Sequence, residues 1–276
     1  MAESKSRRAR GGCVRIADLT AGPLRLRVIG SSSAVPRAGS ACSCYLLETA
    51  QTRVIVDCGT GSLQSLRRYL DPLRLDAVVI SHFHPDHVFD LVPLRYLRAF
   101  ASEDPKMLDV FIPAGEASRM QKLALATASS EHERFFARSM NVVEYDPRGE
   151  LRIGGLQLAF AAARHYIEAY AIRVSDGRAA VTYSSDTAPC DAVVELARGS
   201  DVFLCECALG ATEVDREPRG HSNASEAAEM AARAGVKHLV LTHYGDGAEP
   251  DVLAAAASAR FDGTVTVAED GWCITL

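Results

Sequence analysis

No uninterrupted apolar run in this chain approaches the ~18 residues needed to span a bilayer, which speaks against an integral membrane protein. The opening, MAESKSRRARGGCVRIADL, is basic but lacks the long apolar core and cleavage site of a secretory signal, so the expected location is the cytoplasm. Eight cysteines are spread over 276 residues with no CxxC pair, too few and too scattered for a disulfide framework. Cys42/Cys44 and Cys205/Cys207 form CxC pairs on strand-like runs and read as small apolar fillers in a reducing compartment. Charge of one sign is also scarce. With 30 basic and 35 acidic residues the net charge is −5, and no Lys/Arg stripe runs through the folded part. Long nucleic acids gain most of their affinity from phosphate neutralisation, so this composition counts against them as partners.

Hydrophobic residues make up 48% of the chain against 24% charged, enough for a sizeable core and incompatible with global disorder. Residues 1–23, which include Lys5, Arg7, Arg8 and Arg10, read as a flexible basic arm, a solvated tail. Residues 24–276 show no short-period repeat, linker or low-complexity tract and read as one domain. Short β-type runs (LRLRVIG, CYLLET, RVIVDCG, DAVVISH) lead to helical patterns over SLQSLRRYL, from near Asp86 through DHVFDLVPLRYLRAF, and from Glu116 to about Ala126. The second half repeats the scheme. NVVEYD, LRIGGLQLAFAAA, AYAIRV and AAVTYSS precede a helix near Asp191 to Arg198. DVFLCE, a helix from Ser225 to Ala234, KHLVLTH, a helix from Asp251 to Arg260, TVTVAE and WCITL follow. β-Meanders and βα units in two similar halves predict an α/β fold of mixed sheets covered by helices.

The strongest chemical signal is Ser81-His82-Phe83-His84-Pro85-Asp86-His87. The apolar strand AVVIS ends there, and the two-residue alternation puts both imidazoles of HxH on one face. Pro85 turns the chain, so Asp86 and His87 can address a second position as a helix begins. Four N/O ligands within six residues can serve two metal ions. Three more candidates sit where an apolar run gives way to a loop: His165 after LQLAFAAAR, Asp186 after AAVTYSS and His243 after HLVLT. Strand ends held by a rigid scaffold are where catalytic groups collect. His132, inside a helical pattern, and His238, at the start of a strand, read as structural or solvated.

HFHPDH with a distant His, the Asp of SSDT and the His of LTH resembles the metallo-β-lactamase fold. VIGSSSAVPRAGSACSCYLLE, VDCGTG and GHSNASEAAEMA are similar to the ribonuclease Z-like branch, including actinobacterial cyclic-nucleotide phosphodiesterase-like hydrolases. The likeness runs from about Leu24 to Leu276. It implies an αββα sandwich of two mixed β-sheets with helices on both outer faces. It also implies a dinuclear centre, with His82, His84 and His165 on one metal, Asp86, His87 and His243 on the other, and Asp186 bridging. Such N/O donors suit two Zn²⁺, with Mn²⁺ or Fe compatible by ligand type. A bridging water would be acidified towards a pKa of ~7 and give the attacking hydroxide. Asp57, in VIVDCGTG, would orient a ligand imidazole.

The resemblance further gives His221 the scissile phosphate and a general-acid role towards the leaving alkoxide. Asn223-Ala-Ser-Glu226 fits a capping box, which places His221 just before a helix N-terminus that favours anions. Family members usually carry Ser-Thr after this His; here Ser222-Asn223 follows, and the Ser222 hydroxyl is a further phosphate candidate. tRNA-processing members carry a long basic arm between the third-motif His and the bridging Asp, whereas only 20 residues lie between His165 and Asp186 here. The expectation is therefore a metal-dependent hydrolase of small phosphodiesters, cyclic nucleotides first, and the resemblance implies a homodimer. Lactone, thioester or ester hydrolysis on the same metals is the alternative, followed by RNA 3′-end processing and a non-catalytic metal-binding module. Glu168, just after His165, would place a carboxylate near the pocket mouth. The loops 101–106 and 210–219 carry no readable substrate code.

Overall fold

The computed structural model describes residues 22–103, 106–128 and 132–276, so nearly all of the expected arm (1–23) lies outside the described residues. The chain builds two seven-stranded sheets. The first contains β1 (Arg25–Gly30), β2 (Cys44–Glu48), β3 (Arg53–Val56), β4 (Ala77–Val79), β5 (Leu108–Pro113), β6 (Met140–Tyr145) and β14 (Cys273–Thr275), ordered β14-β1-β2-β3-β4-β5-β6. The second contains β7 (Leu151–Ile153), β8 (Leu156–Ala162), β9 (Tyr170–Ser175), β10 (Ala180–Tyr183), β11 (Val202–Glu206), β12 (His238–Thr242) and β13 (Thr264–Val267), ordered β13-β12-β11-β10-β9-β8-β7. In the first sheet the pairings from β14 to β3 are antiparallel and those from β3 to β6 parallel. The second runs the same way, antiparallel from β7 to β10 and parallel from β10 to β13. The two similar halves of the sequence are thus two sheets of matching topology.

Strand alternation divides the apolar residues into three layers. Val54, Val56, Ala77 and Val79 of the first sheet meet Ile172, Val181 and Leu204 of the second in a core between the sheets. Ile55, Val78 and Ile80 face outward onto α1 (Ser62–Leu66), α3 (Leu91–Ala101) and α4 (Ala117–Thr127). Phe203, Cys205, Leu239 and Leu241 face α5 (Asp191–Ala197), α6 (Ala224–Ala234) and α7 (Pro250–Ser258). Both faces of the central strands are covered, which is why AVVIS, VFLC and HLVL read as unbroken apolar runs. The result is the expected αββα sandwich. Cys42, Cys44, Cys58, Cys205 and Cys207 are buried and unpaired, consistent with their reading as fillers. Among the described residues no helix is long and apolar enough to cross a membrane.

Three boundaries differ from expectation. The helix expected from Asp86 breaks into α2 (Pro85–Val88) and α3. Pro93 has no N–H to give the Phe89 carbonyl, and Asp90 is diverted to the 58–63 turn, donating its N–H to Cys58 O at 3.0 Å and accepting from Leu63 N at 2.8 Å. LRIGGLQLAFAAA is two strands, because Gly154 takes φ 55 and turns β7 into β8. In SLQSLRRYL only Ser62–Leu66 is α-helical before the chain passes into turns.

Candidate metal centre

The strand ends at one edge of the sandwich bring the expected ligands together. His82, His84, His165 and Asp186 form one group and Asp86, His87, Asp186 and His243 a second; within each, one ligand atom per residue lies within 4.8 Å of the others. His84 Nδ1 stands 3.2 Å from His82 Nε2 and 3.0 Å from His165 Nε2. Asp186 Oδ2 lies 3.7 Å from His82 Nε2 and 3.2 Å from His243 Nε2, while its Oδ1 lies 3.4 Å from His87 Nε2. Asp186 therefore belongs to both groups: Oδ2 stands between a histidine of each, and Oδ1 faces His87 of the second.

Each imidazole but that of His84 is held by Nδ1 from behind. Asp57 is fully buried; it accepts from His87 Nδ1 at 2.7 Å and from Ser81 N and Oγ at 2.8 Å each. Ser81 Oγ has spent its one proton on Asp57, so its 3.1 Å contact with His82 Nδ1 requires an N–H there and leaves Nε2 as the lone pair. Gly220 O can only accept, so the 2.7 Å contact fixes His165 as Nδ1–H with Nε2 free. Ser43 Oγ meets His243 Nδ1 at 2.8 Å. Such partners set tautomer and ring orientation in metal sites.

Local backbone pays for this convergence with strain. Asp57, Ser185 and His243 have φ of 61, 56 and 56°, and they are the positive-φ residues other than glycine among those described. Each costs on the order of 1–3 kcal/mol and persists only where its surroundings over-determine it. Gly59 explains the VDCGTG turn: a Cβ there would lie 1.9 Å from Asp86 O, so only glycine lets this turn close on the HPDH segment. The turn is stitched there by Cys58 N donating to His87 O at 2.7 Å.

The donor set fits divalent cations. His87 Nε2 and Asp186 Oδ1 are buried atoms without a hydrogen-bond partner, both in the second group. Burial pushes His82 well below the usual histidine range, and it brings His165 down to about 4; both are kept neutral, as ligation requires. Burial also opposes charge on His87, but Asp186, Asp57 and Asp86 outweigh it and raise its pKa well above the ordinary value. Asp86 is lowered to about 2: burial works against its charge, and His87 and His243 overcome it. This buried space attracts positive charge strongly.

His221 stands beside the ligands, its ring 4.9 Å from that of His165 and 6.1 Å from that of His243, with a side chain 21% exposed. Its Nδ1 lies 3.0 Å from Glu206 Oε1. Burial disfavours its charge, yet the hydrogen bond and charge of Glu206, with Asp186 and Asp215, raise its pKa to about 9. The expected capping box forms: Asn223 Oδ1 accepts from Glu226 N at 2.9 Å and Glu226 returns to Asn223 N at 3.2 Å. Ser222 departs from its expected phosphate role. It is fully buried and its hydroxyl donates to Thr187 O at 2.6 Å, because the residue between His221 and the N-cap turns inward.

Glu206 was not singled out by the sequence reasoning. It is fully buried at the end of β11, and its carboxylate also takes N–H groups from Thr187 at 3.0 Å, Ala208 at 2.8 Å and Ser222 at 3.2 Å. Its signal was present: the apolar run VFLC ends in a charge, as the runs before His82, Asp186 and His243 do. His132 and His238 lie outside both groups; His238 Nε2 meets Thr266 Oγ1 at 2.9 Å. Glu168 is exposed and receives the Tyr170 hydroxyl.

Two matching sheets enclosed by helices, with five histidines and two aspartates converging at their ends, define a metallo-hydrolase sandwich. The β-lactamase superfamily domain model matches residues 52–244, and the chain belongs to that superfamily, in its ribonuclease Z-like branch. The Bacillus subtilis protein named Probable metallo-hydrolase YhfI is 31% identical over 252 residues, covering 90% of this chain and 98% of that protein. The crystal structure of YhfI superposes with a TM-score of 0.83 over 92% of this chain and all of that one, at 28% identity. Ribonuclease Z of Mycobacterium bovis is 28% identical over 272 residues, covering 90% of this chain and 96% of that enzyme. Yeast PDE1 shares the fold at 14% identity, with a TM-score of 0.70 over 92% of this chain and all of that one. The chain is accordingly a hydrolase of this family.

Proposed function

We propose that the protein is a di-zinc phosphodiesterase acting on a cyclic nucleotide or another small phosphodiester. His82, His84, His165 and Asp186 would hold one ion and Asp86, His87, Asp186 and His243 the other. When bound, such ions supply Lewis acidity and acidify water towards a pKa of ~7. The observation that carries the reading is the Glu206–His221 pair. Glu206 keeps His221 protonated at neutral pH, and with Nδ1 committed to the carboxylate, Nε2–H is the donor His221 offers. A phosphodiester needs such a donor twice, for the charge on its non-bridging oxygens and for the leaving alkoxide. Asp57 and Gly220 accept from Nδ1 of His87 and His165, so that Nε2 of each ring is the atom turned towards the ions.

Two features favour a small substrate over RNA. Only β9, β10 and their turns separate His165 from Asp186, leaving no room for a projecting arm. The arginines that precede His165 and Gly220 in the chain are paired, Arg164 with Glu217 at 2.9 Å and Arg219 with Glu226 at 2.8 Å. The test is turnover of bis-p-nitrophenyl phosphate and cyclic AMP against a panel of lactones and thioesters, by zinc-loaded wild type and His221→Ala. Diester turnover should fall ~10²–10⁴-fold in the variant with zinc content unchanged. Turnover confined to acyl substrates, or equal loss of zinc and activity, overturns the proposal.

A further inference from the structure

We infer that Tyr166 is a stacking shelf for the flat heteroaromatic group of the substrate, a nucleobase, so that the site takes nucleotides in preference to diesters without a base. The inference rests on the phosphodiesterase reading above and specifies its substrate class.

Tyr166 follows the ligand His165 on the loop between β8 and β9, and 50% of it is exposed. Its ring centroid lies 5.0 Å from that of His165 and 5.6 Å from that of His221, so the open ring adjoins both a metal-ligand group and the proposed phosphate donor. The ring is held at two points. Its hydroxyl donates to Asp215, which also accepts Gly220 N at 3.2 Å. Its edge rests on Gly220, where a Cβ would lie 2.5 Å from Tyr166 Cε2 and Cζ. Gly220 is the residue whose carbonyl holds His165 Nδ1, so one glycine registers the ring against the metal group.

An exposed tyrosine ordinarily keeps its rotamer freedom and hydrates its hydroxyl. This one has both settled by the protein while half of it stays open. A fixed aromatic face costs little entropy on binding and accepts any base through its π-face. The neighbouring guanidiniums of Arg164 and Arg219 are paired with Glu217 and Glu226, and the open ring lies beside them next to His165 and His221.

The test compares 3′,5′-cyclic AMP with an abasic ribose 3′,5′-cyclic phosphate in zinc-loaded wild type, Tyr166→Phe and Tyr166→Ala. AMP and ribose 5-phosphate binding are measured by calorimetry alongside, and zinc content is measured for each variant. Tyr166→Ala should raise KM for cyclic AMP and Kd for AMP ~5- to 150-fold, the range of a lost base stack. The abasic ligands should change less than about twofold, and Tyr166→Phe should keep most of the preference for the base. Equal losses on both ligand types, or a fall in zinc content, would make the ring a prop for His165 and overturn the shelf. A wild type that treats cyclic AMP and the abasic ester alike keeps the phosphodiesterase reading and removes the shelf. A wild type that turns over neither diester removes both.

Discussion

The sharpest consequence of the site concerns Asp57, which is a member of neither ligand group but holds His87 from behind. Its carboxylate accepts three donors, Ser81 N on Oδ1 and Ser81 Oγ and His87 Nδ1 on Oδ2. Asn at this position tolerates the backbone φ of 61°, since asparagine is enriched in the left-handed region. It nevertheless supplies one acceptor where the carboxylate supplies two. With its oxygen towards His87, the new NH₂ opposes the Ser81 N–H, and a buried donor goes unpaired at about 1–3 kcal/mol. With its oxygen towards Ser81 N, the NH₂ opposes His87 Nδ1, and the ring must move its proton to Nε2, the atom required as a ligand.

Either way the second metal group weakens. Loss of such an orienting partner lowers metal affinity about 10–100-fold, or about 1.4–2.8 kcal/mol. The assay is chelator competition on Asp57→Asn with zinc per chain read by mass spectrometry, and thermal unfolding of the apo protein in parallel. One ion should be lost 10–100-fold more readily than in wild type. The ion on His82, His84 and His165 should be less affected, because His82 depends on Asp57 only through Ser81. Unchanged affinity for both ions, with lower apo stability alone, would make Asp57 a turn residue and refute the tautomer argument.

Glu206→Gln should move the alkaline limb of the rate profile. The folded-state pKa of His221 is raised to about 9 from the ordinary 6.5, so its Nε2–H donor is present at neutral pH and lost as pH rises through about 9. By the same linkage its contribution to stability is complete below about 6.5 and disappears through about 9. Without the carboxylate charge the limb should descend towards the usual histidine range, and a pH profile of kcat that ends where wild type ends would rule out Glu206 as its cause. Arg37→Ala should release the second ion selectively. Arg37 lies 3.6 Å over the Tyr244 ring, donates to Tyr244 O at 2.7 Å and to Ser31 Oγ at 2.9 Å, and so braces the residue after the strained His243. The expected cost is about 1–3 kcal/mol in thermal or denaturant unfolding, with chelator competition showing loss of the His243 ion first; equal loss of both ions would contradict the brace.

What could be read from the residues and what could not follows from how each group is recruited. His82, Asp186 and His243 each end an apolar strand, a pattern confined to about six consecutive residues and visible without the fold. The same holds for Glu206, whose importance appears only when His221, 15 positions on, is folded against it. The partners of the imidazoles carry no such signal. Ser43 reaches His243 across 200 residues, and Gly220 serves His165 with a backbone carbonyl that any residue type would present. The Ser222 expectation failed for a related reason: a hydroxyl beside a helix N-terminus can face solvent or turn inward, and the Thr187 carbonyl decides it. The break at Phe89–Asp90 was legible in Pro93 but was overridden by the long apolar period of VFDLVPLRYL, which α3 continues.

The left-handed residues tie these levels together. Asp57 and His243 follow the ends of β3 and β12, and Ser185 follows β10, immediately before Asp186. An extended strand would carry the next side chain on along the sheet; a residue at φ near 60° reverses the path and aims it across the sheet edge instead. Glycine would adopt this backbone at no steric cost but has no side chain to aim, so at Asp57 and His243 the functional group and the strained residue have to be the same one. The strain is offset by burial and by partners supplied from elsewhere: Ser81 and His87 for Asp57, and Ser43 with the Arg37–Tyr244 brace for His243. The predicted effects of Asp57→Asn and Arg37→Ala are therefore two tests of one arrangement, in which metal affinity depends on how firmly the sandwich holds two unfavourable backbone conformations.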